Sequence, residues 1–207
     1  MLNIRAWIRL AATLALFSAI PTGAARADPP DTARFDGACD ITFLATSTLH
    51  DVSGSARCQP FTVLVARDAA GKEVISSVEV AVPVAGMDTG NRSRDRQMRE
   101  MFRSGQFPRI HAAAQDVDVG RLRVEMGKAP GGKAPLDMLL KIREVERMIR
   151  ATASNLKESG ERVTFDLVFP VSLGEFGLKA PSVLGIVRVG DKVSVKSTVT
   201  LTVSRSP

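Results

Sequence analysis

The chain has 207 residues, of which 44% are hydrophobic, and its 28 basic and 22 acidic side chains give a formal net charge of +6. This length is sufficient for one domain with a hydrophobic core. The moderate charge, without a recognition helix, a zinc knuckle or an aromatic stacking set, argues against a nucleic-acid-binding protein.

Residues 1–27, "MLNIRAWIRLAATLALFSAIPTGAARA", have the three-part pattern of a secretory signal peptide. Two arginines precede the apolar run 10–20, and Ala25-Arg26-Ala27 supplies a small-residue cleavage site before Asp28. The apolar run is far shorter than the roughly 20 residues that a transmembrane helix needs. We therefore predict cleavage after Ala27, a periplasmic or secreted location, and a single mature domain of residues 28–207.

The only two cysteines, Cys39 and Cys58, both lie in the exported part of the chain. In an oxidising compartment such a pair is more often bridged than free. Apolar and polar residues alternate on both sides of the turn-like "LHDVSG", which predicts two neighbouring strands. In a hairpin centred between residues 48 and 49, Cys39 faces Cys58 and Phe43 faces Gly54. We therefore predict a Cys39–Cys58 disulfide. A metal site is not predicted, because the two cysteines and the two histidines lack the spacing of metal ligands.

Alternation of apolar with polar residues predicts β-strands through most of the remaining chain. The segments with this pattern are 78–84, 110–114, 122–126, 136–142, 163–173 and 193–203. Residues 145–153 give a weaker strand signal, and "NLKESGE" is predicted to be a loop. About eight to ten antiparallel strands with one apolar face predict an all-β fold, either a closed barrel or a sandwich.

One short helix is predicted within this β pattern, over residues 91–104, and Gly105 is a natural stop. At about 100° per residue, Met98, Met101 and Phe102 share the side that would face the barrel. The opposite side carries a stripe of arginines, which we interpret as a solvated face; the alternative is a patch for an anionic head group or membrane surface. The stripe consists of Arg92, Arg96, Arg99 and Arg103.

Arg94 is the exception, because its helical angle places it beside Met101 on the apolar side. An arginine there needs a partner or water. We favour a structural salt bridge to Asp88 or Asp95, with a ligand-facing Arg94 as the alternative.

Four segments occur in a recognisable order: "STLHDVSG" at 47–54, "MDTGNRSRDRQMR" at 87–99, "FPRI" at 107–110 and a closing "FGLKAPSVLGIVRVGDKVSV". Together they resemble the YceI-like family of bacterial polyisoprenoid-binding proteins, across essentially the whole mature chain. The resemblance implies an extended, lipocalin-like antiparallel barrel of about eight strands, exported to the periplasm. It further implies that the apolar interior holds an isoprenoid chain, such as a polyprenyl lipid or a quinone tail, and that the helix forms a plug or lid.

The inward-facing residues are the candidate ligand contacts, although such residues can also simply fill the core of a small barrel. His50, in the first of the four segments, is interpreted as a turn residue bonded to nearby backbone rather than as a head-group contact. The predicted ligand-binding residues are Phe43, Val80, Val82, Arg94, Met98, Phe102, Phe165, Leu167 and Phe169.

The predicted function is sequestration or transport of an isoprenoid-type amphiphile, with no cofactor beyond that bound lipid or quinone. An enzyme is disfavoured, since the chain has no G-x-S-x-G motif, no paired histidine and cysteine nucleophile and no recognisable carboxylate pair. The alternative is a non-catalytic module that binds a protein or membrane surface through the arginine-rich helix. The sequence leaves transient membrane contact and a homodimer open.

Overall fold

The structure is a computed structural model that describes residues 32–47, 51–128, 131–179, 182–183 and 187–204. The predicted signal peptide lies outside these residues. Ten strands and two α-helices occur within them. The strands are β1 (Thr32–Ser47), β2 (Val52–Arg57), β3 (Phe61–Arg67), β4 (Glu73–Pro83), β5 (Arg109–Asp118), β6 (Lys133–Ile142), β7 (Val145–Ser159), β8 (Arg162–Ser172), β9 (Ser182–Val183) and β10 (Val187–Val203). The helices are α1 (Arg92–Met101) and α2 (Val119–Gly127).

Eight of these strands form a closed antiparallel barrel, in the order β1-β3-β4-β5-β6-β7-β8-β10. The barrel closes because β1 also pairs with β10, along a register that runs from Phe35 opposite Val203 to Ala45 opposite Val193. This pairing joins the two strands that would otherwise be the edges of the eight-stranded sheet. The all-β, lipocalin-like barrel expected from the alternating pattern is confirmed.

The long strand β1 has two successive partners on its other side. Its first half pairs with β3 and its second half with β2, where Phe43 lies opposite Gly54. This is the register predicted from the hairpin, and it brings the Cα atoms of Cys39 and Cys58 to 5.4 Å, where the predicted disulfide joins them.

Helix α1 follows β4 and lies across one end of the barrel. The Asn91 side chain caps its N-terminus by accepting hydrogen bonds from the backbone amides of Ser93 and Arg94. As predicted, its apolar side packs on the core: Phe102 is buried, and Met98 and Met101 are half-buried against the same cluster. That cluster comprises Val84, Phe102, Leu140, Ile142, Val171, Leu173, Phe176 and Leu178.

Two predictions about elements are wrong. Residues 119–127 form the helix α2 instead of a strand, so the barrel carries a second helix. In a strand, Leu122, Val124 and Met126 would share one face; in the helix Leu122 and Met126 face the interior while Val124 is 61% exposed. The segment predicted as a loop continues β7 to Ser159, with an irregular register at the left-handed residue Asn155.

Neither helix in the described part of the chain is long and apolar enough to cross a membrane.

Candidate ligand-binding site

A cavity of about 450 Å³ occupies the inside of the barrel. It reaches from Glu73 to Val82 along β4, a path of about 30 Å at the usual rise per strand residue. The inward positions of all eight barrel strands supply the wall, because alternate residues of a strand point to the same face. The wall is apolar apart from six lining residues, which are Glu73, Thr89, Arg94, Arg123, Glu158 and Ser197.

The structure brings together all nine predicted ligand-binding residues on the lining of this cavity. They are Phe43, Val80, Val82, Arg94, Met98, Phe102, Phe165, Leu167 and Phe169. Contact between these residues and a ligand stays a prediction. The side chains on the inner face leave an open interior, because their packed clusters occupy only parts of the barrel.

At the α1 end, a carboxylate fixes the helix to the preceding loop. Asp95 is only 9% exposed, and its Oδ1 accepts hydrogen bonds from the Thr89 backbone amide at 2.9 Å and the Thr89 hydroxyl at 2.6 Å. The hydroxyl bond is the main reason that the pKa of Asp95 lies below its usual value. Asp95 therefore stays ionised and holds the start of α1 over the barrel.

Arg94 lies beside this anchor and points into the cavity. Its Nη2 donates to the Thr89 carbonyl oxygen at 3.5 Å, whereas its buried Nε has no hydrogen-bond partner. Among the described residues, no ion pair joins Arg94 to Asp88 or Asp95, so the predicted salt bridge is not formed. The physical reason is that Asp95 turns toward Thr89. A positively charged group with unused donor capacity therefore faces the α1 end of the cavity.

The opposite end of the cavity carries a charged cluster that the sequence analysis missed. Arg123 of α2 donates from Nη1 to Glu73 Oε2 at 2.9 Å and from Nε to Glu158 Oε1 at 2.8 Å. Glu73 also pairs with Arg67, at 3.4 Å. These partners are 50 and 35 residues from Arg123 in the chain, so no local pattern could have indicated the cluster.

His111 is the only histidine among the described residues, and it does not line the cavity. His111 lies on β5, where its Nδ1 is 2.7 Å from Glu79 Oε1 on the neighbouring strand. His50 lies outside the described residues. Within the described lining there is no histidine, and the described residues include no cluster of histidine, cysteine and carboxylate side chains suited to a metal ion. What this lining offers a bound molecule is dispersion contact along its length and hydrogen bonding at its ends.

Comparison with known proteins agrees with this geometry. The YceI-like domain matches residues 37–201, which is most of the chain. The chain belongs to the YceI-like family. No curated protein sequence matches it.

Solved structures show the same fold at low sequence identity. Burkholderia cenocepacia BcnA superposes with a TM-score of 0.58 at 17% identity, covering 78% of this chain and 95% of that protein. A polyisoprenoid binding domain from Saccharophagus degradans, implicated in plant cell wall breakdown, gives a TM-score of 0.56 at 15% identity and covers 83% and 99%. The Campylobacter jejuni YCEI protein gives 0.54 at 15% identity, covering 76% and 88%.

Proposed function

We propose that this YceI-like protein is a non-catalytic, exported binding protein that sequesters or carries an isoprenoid-type amphiphile, such as a polyprenyl lipid or a quinone. The observation that carries this proposal is the open apolar interior, a cavity of about 450 Å³ that runs along the barrel. This volume falls in the range of about 300–1,000 Å³ that small-molecule sites occupy. The name of the Saccharophagus degradans relative, a polyisoprenoid binding domain, supports the ligand class.

Apolar burial supplies the affinity. Each methylene group moved from water into such a cavity gains about 0.8 kcal/mol. Association and ordering of a flexible chain cost about 4–15 kcal/mol. A few isoprene units therefore suffice for about micromolar affinity, which corresponds to about 8 kcal/mol.

Arg94 is the proposed contact for the polar head of the ligand. Buried polar groups are nearly always hydrogen-bonded, and the unused Nε of Arg94 is an exception that an acceptor on the ligand would remove. A carbonyl, hydroxyl or phosphate oxygen all fit this requirement. The tail would then lie along the apolar wall between α1 and α2.

The Arg94 contact is tested by the substitution Arg94→Met, which keeps an unbranched side chain and removes the donors. Ubiquinone-2 should bind about 10-fold more weakly to the variant, since a hydrogen bond to a charged group contributes about 1.5–3 kcal/mol. Farnesene, a hydrocarbon without a head group, should bind both proteins equally. Arg96→Met, on the exposed side of the same helix, is the control. Equal ubiquinone-2 affinity in all three proteins would remove Arg94 from the site.

Export is proposed from the leader pattern and is supported by the disulfide, a bond that persists in oxidising compartments. The decisive experiment is mass spectrometry of an organic extract of the protein purified from the periplasm or medium, with its N-terminus sequenced. We expect a stoichiometric isoprenoid and a chain beginning at Asp28. An empty protein that also fails to take up ubiquinone-2 and a polyprenol would contradict the carrier function.

The second candidate function is binding of a protein or membrane surface through the arginine stripe of α1. The favouring observation is that Arg92 and Arg96 of α1 are exposed, as is Arg103, which lies two residues beyond the end of the helix. The two functions differ in their dependence on salt.

A further inference from the structure

The two helices close the two ends of the barrel in different ways. Helix α1 is tied into the interior: Phe102 at its C-terminal end is 7% exposed, and Asp95 is bonded twice to Thr89. The chain beyond it is also covered, because the Arg143 guanidinium lies 5.9 Å from the centre of the Phe107 ring. Displacing α1 would unpack the largest buried cluster of the described residues.

Helix α2 is attached differently, through partly buried side chains. All nine of its residues are described and none is buried. Leu122 and Met126 lie half-buried over the end of the cavity, and Val124 on the outer side is 61% exposed. Leu122 packs against the smaller buried cluster, and the absence of a fully buried side chain in α2 is a feature of segments that open locally.

Among the described residues, Arg123 is the side chain that connects α2 to the barrel wall through ion pairs. Arg123 bridges to Glu73 at the start of β4 and to Glu158 near the end of β7, at 2.9 and 2.8 Å. The Arg123 and Glu158 side chains are each 48% exposed, so water and salt screen these pairs. These screened ion pairs hold α2 against the barrel, and breaking them costs little free energy.

We propose that α2 is the gate through which the ligand reaches the lumen, and that Arg123 is its latch. This inference rests on the proposed carrier function for the nature of the ligand. In this proposal an apolar chain enters through one end, because the strand order closes on itself through the pairing of β1 with β10. Opening the α2 end separates the Arg123 ion pairs and withdraws the half-buried Leu122 from the smaller buried cluster, whereas opening the α1 end removes the buried Phe102 from the larger one.

The first test compares two arginines of the same helix. Arg123→Gln removes the latch, and Arg121→Gln is the matched control, because Arg121 pairs with Glu125 inside α2 at 2.9 Å. Uptake and release of N-phenyl-1-naphthylamine, whose fluorescence rises in an apolar site, are measured by stopped flow. In Arg123→Gln the rates of uptake and release should both increase by about 3- to 10-fold. Higher ionic strength should accelerate exchange in the wild type but not in this variant.

The second test needs no ligand, so it separates failure of the gate from failure of the carrier function. Amide hydrogen exchange of the empty protein should be faster in α2 than in α1, and faster still in α2 of Arg123→Gln. Glu158→Gln, which removes one of the two ion pairs, should show the same change to a smaller extent and replaces Arg123→Gln if that variant does not fold.

Three results would overturn the gate: equal exchange protection of α1 and α2, unchanged probe kinetics in Arg123→Gln, or an equal acceleration in Arg121→Gln. A wild-type protein that binds no probe but shows rapid α2 exchange would count against the carrier function and leave the opening of α2 supported.

Discussion

Gly54 leaves the space that the Phe43 ring occupies on the inner wall. A Cβ atom at Gly54 would collide with the Phe43 ring and approach the Asp88 carbonyl oxygen to 2.8 Å. That carbonyl is held by the Ser55 amide at 2.8 Å, so the backbone has little freedom to move away. The ring itself would have to shift into the lumen.

Gly54→Ala should therefore lower the free energy of unfolding by about 1–3 kcal/mol, as expected for overpacking. The control is Gly86→Ala, since a Cβ there meets nothing within 4 Å and no left-handed backbone angle is involved. Urea unfolding of the two variants measures the difference. If both variants match the wild type, the close packing of Phe43 on Gly54 is not a stability determinant.

Single residues show how far sequence reasoning reaches. Helical spacing correctly placed Arg94 on the apolar side of α1, and strand alternation placed Phe165, Leu167 and Phe169 on the lumen wall. The partner of Arg94 was not predictable, because only the three-dimensional loop shows Asp95 turning to Thr89. Periodicity therefore predicts which face of a helix carries a charged residue, whereas the partner of that residue is known only from the three-dimensional structure.

At the scale of elements, the Asp95–Thr89 bonds that hold α1 give stability a defined pH dependence. The folded-state pKa of Asp95 is lowered, so its contribution is present above the unfolded pKa of about 3.9. That contribution is lost as the pH falls through the folded pKa. Asp95→Asn should destabilise the protein by about 1 kcal/mol near neutral pH, the usual contribution of such a hydrogen bond.

The measurement is urea unfolding of the wild type and Asp95→Asn as the pH is lowered. The difference between the two proteins should shrink below about pH 4, where the wild type loses the ionised carboxylate. Asp166 also has a lowered pKa: burial raises it, but bonds from Asn155, Thr198 and Lys196 lower it more. Asp95→Asn should for that reason retain some acid sensitivity. A difference independent of pH would show that the Asp95 charge is unimportant.

The disulfide links β1 to the residue that directly follows β2. It joins residues 19 apart in the chain, and closing a loop of this length stabilises by about 3 kcal/mol in the chain-entropy account. The double variant Cys39→Ala/Cys58→Ala should lose about that much free energy of unfolding. A reductant should destabilise the wild type alone. Equal stability with and without reductant would mean that the disulfide adds no constraint beyond those that the barrel already imposes.

Elements differed in how well their sequences specified them. The hairpin register was predictable because its turn and the two cysteines fix one alignment, with Phe43 opposite Gly54. The sequence did not specify helix α2. Leu122 and Met126 would share a face in a strand, where every second residue does so, and equally in a helix, where residues four apart do so. The deciding signal was Asp118, whose side chain caps α2 by accepting from the Arg121 amide at 2.8 Å.

At the scale of the whole molecule, closure of the barrel brings the apolar faces of separate strands together around one lumen. Each strand alone only shows that one of its faces is apolar. The pairing of β1 with β10 makes those faces converge, and α1 and α2 cover the ends. The volume left inside is a property of the assembled barrel and could not be read from any strand.

The location of the binding surface, inside or outside this barrel, determines how binding responds to salt. Between about 10 and about 150 mM salt the Debye length falls from about 30 to about 8 Å, which weakens contacts made by exposed arginines. Apolar capture in the lumen depends little on this screening. The affinity for N-phenyl-1-naphthylamine should therefore stay within about 2-fold over that range, and the double variant Arg92→Gln/Arg96→Gln should bind it equally well. A loss of about 10-fold with salt or in this variant would instead favour the outer arginine surface as the binding site.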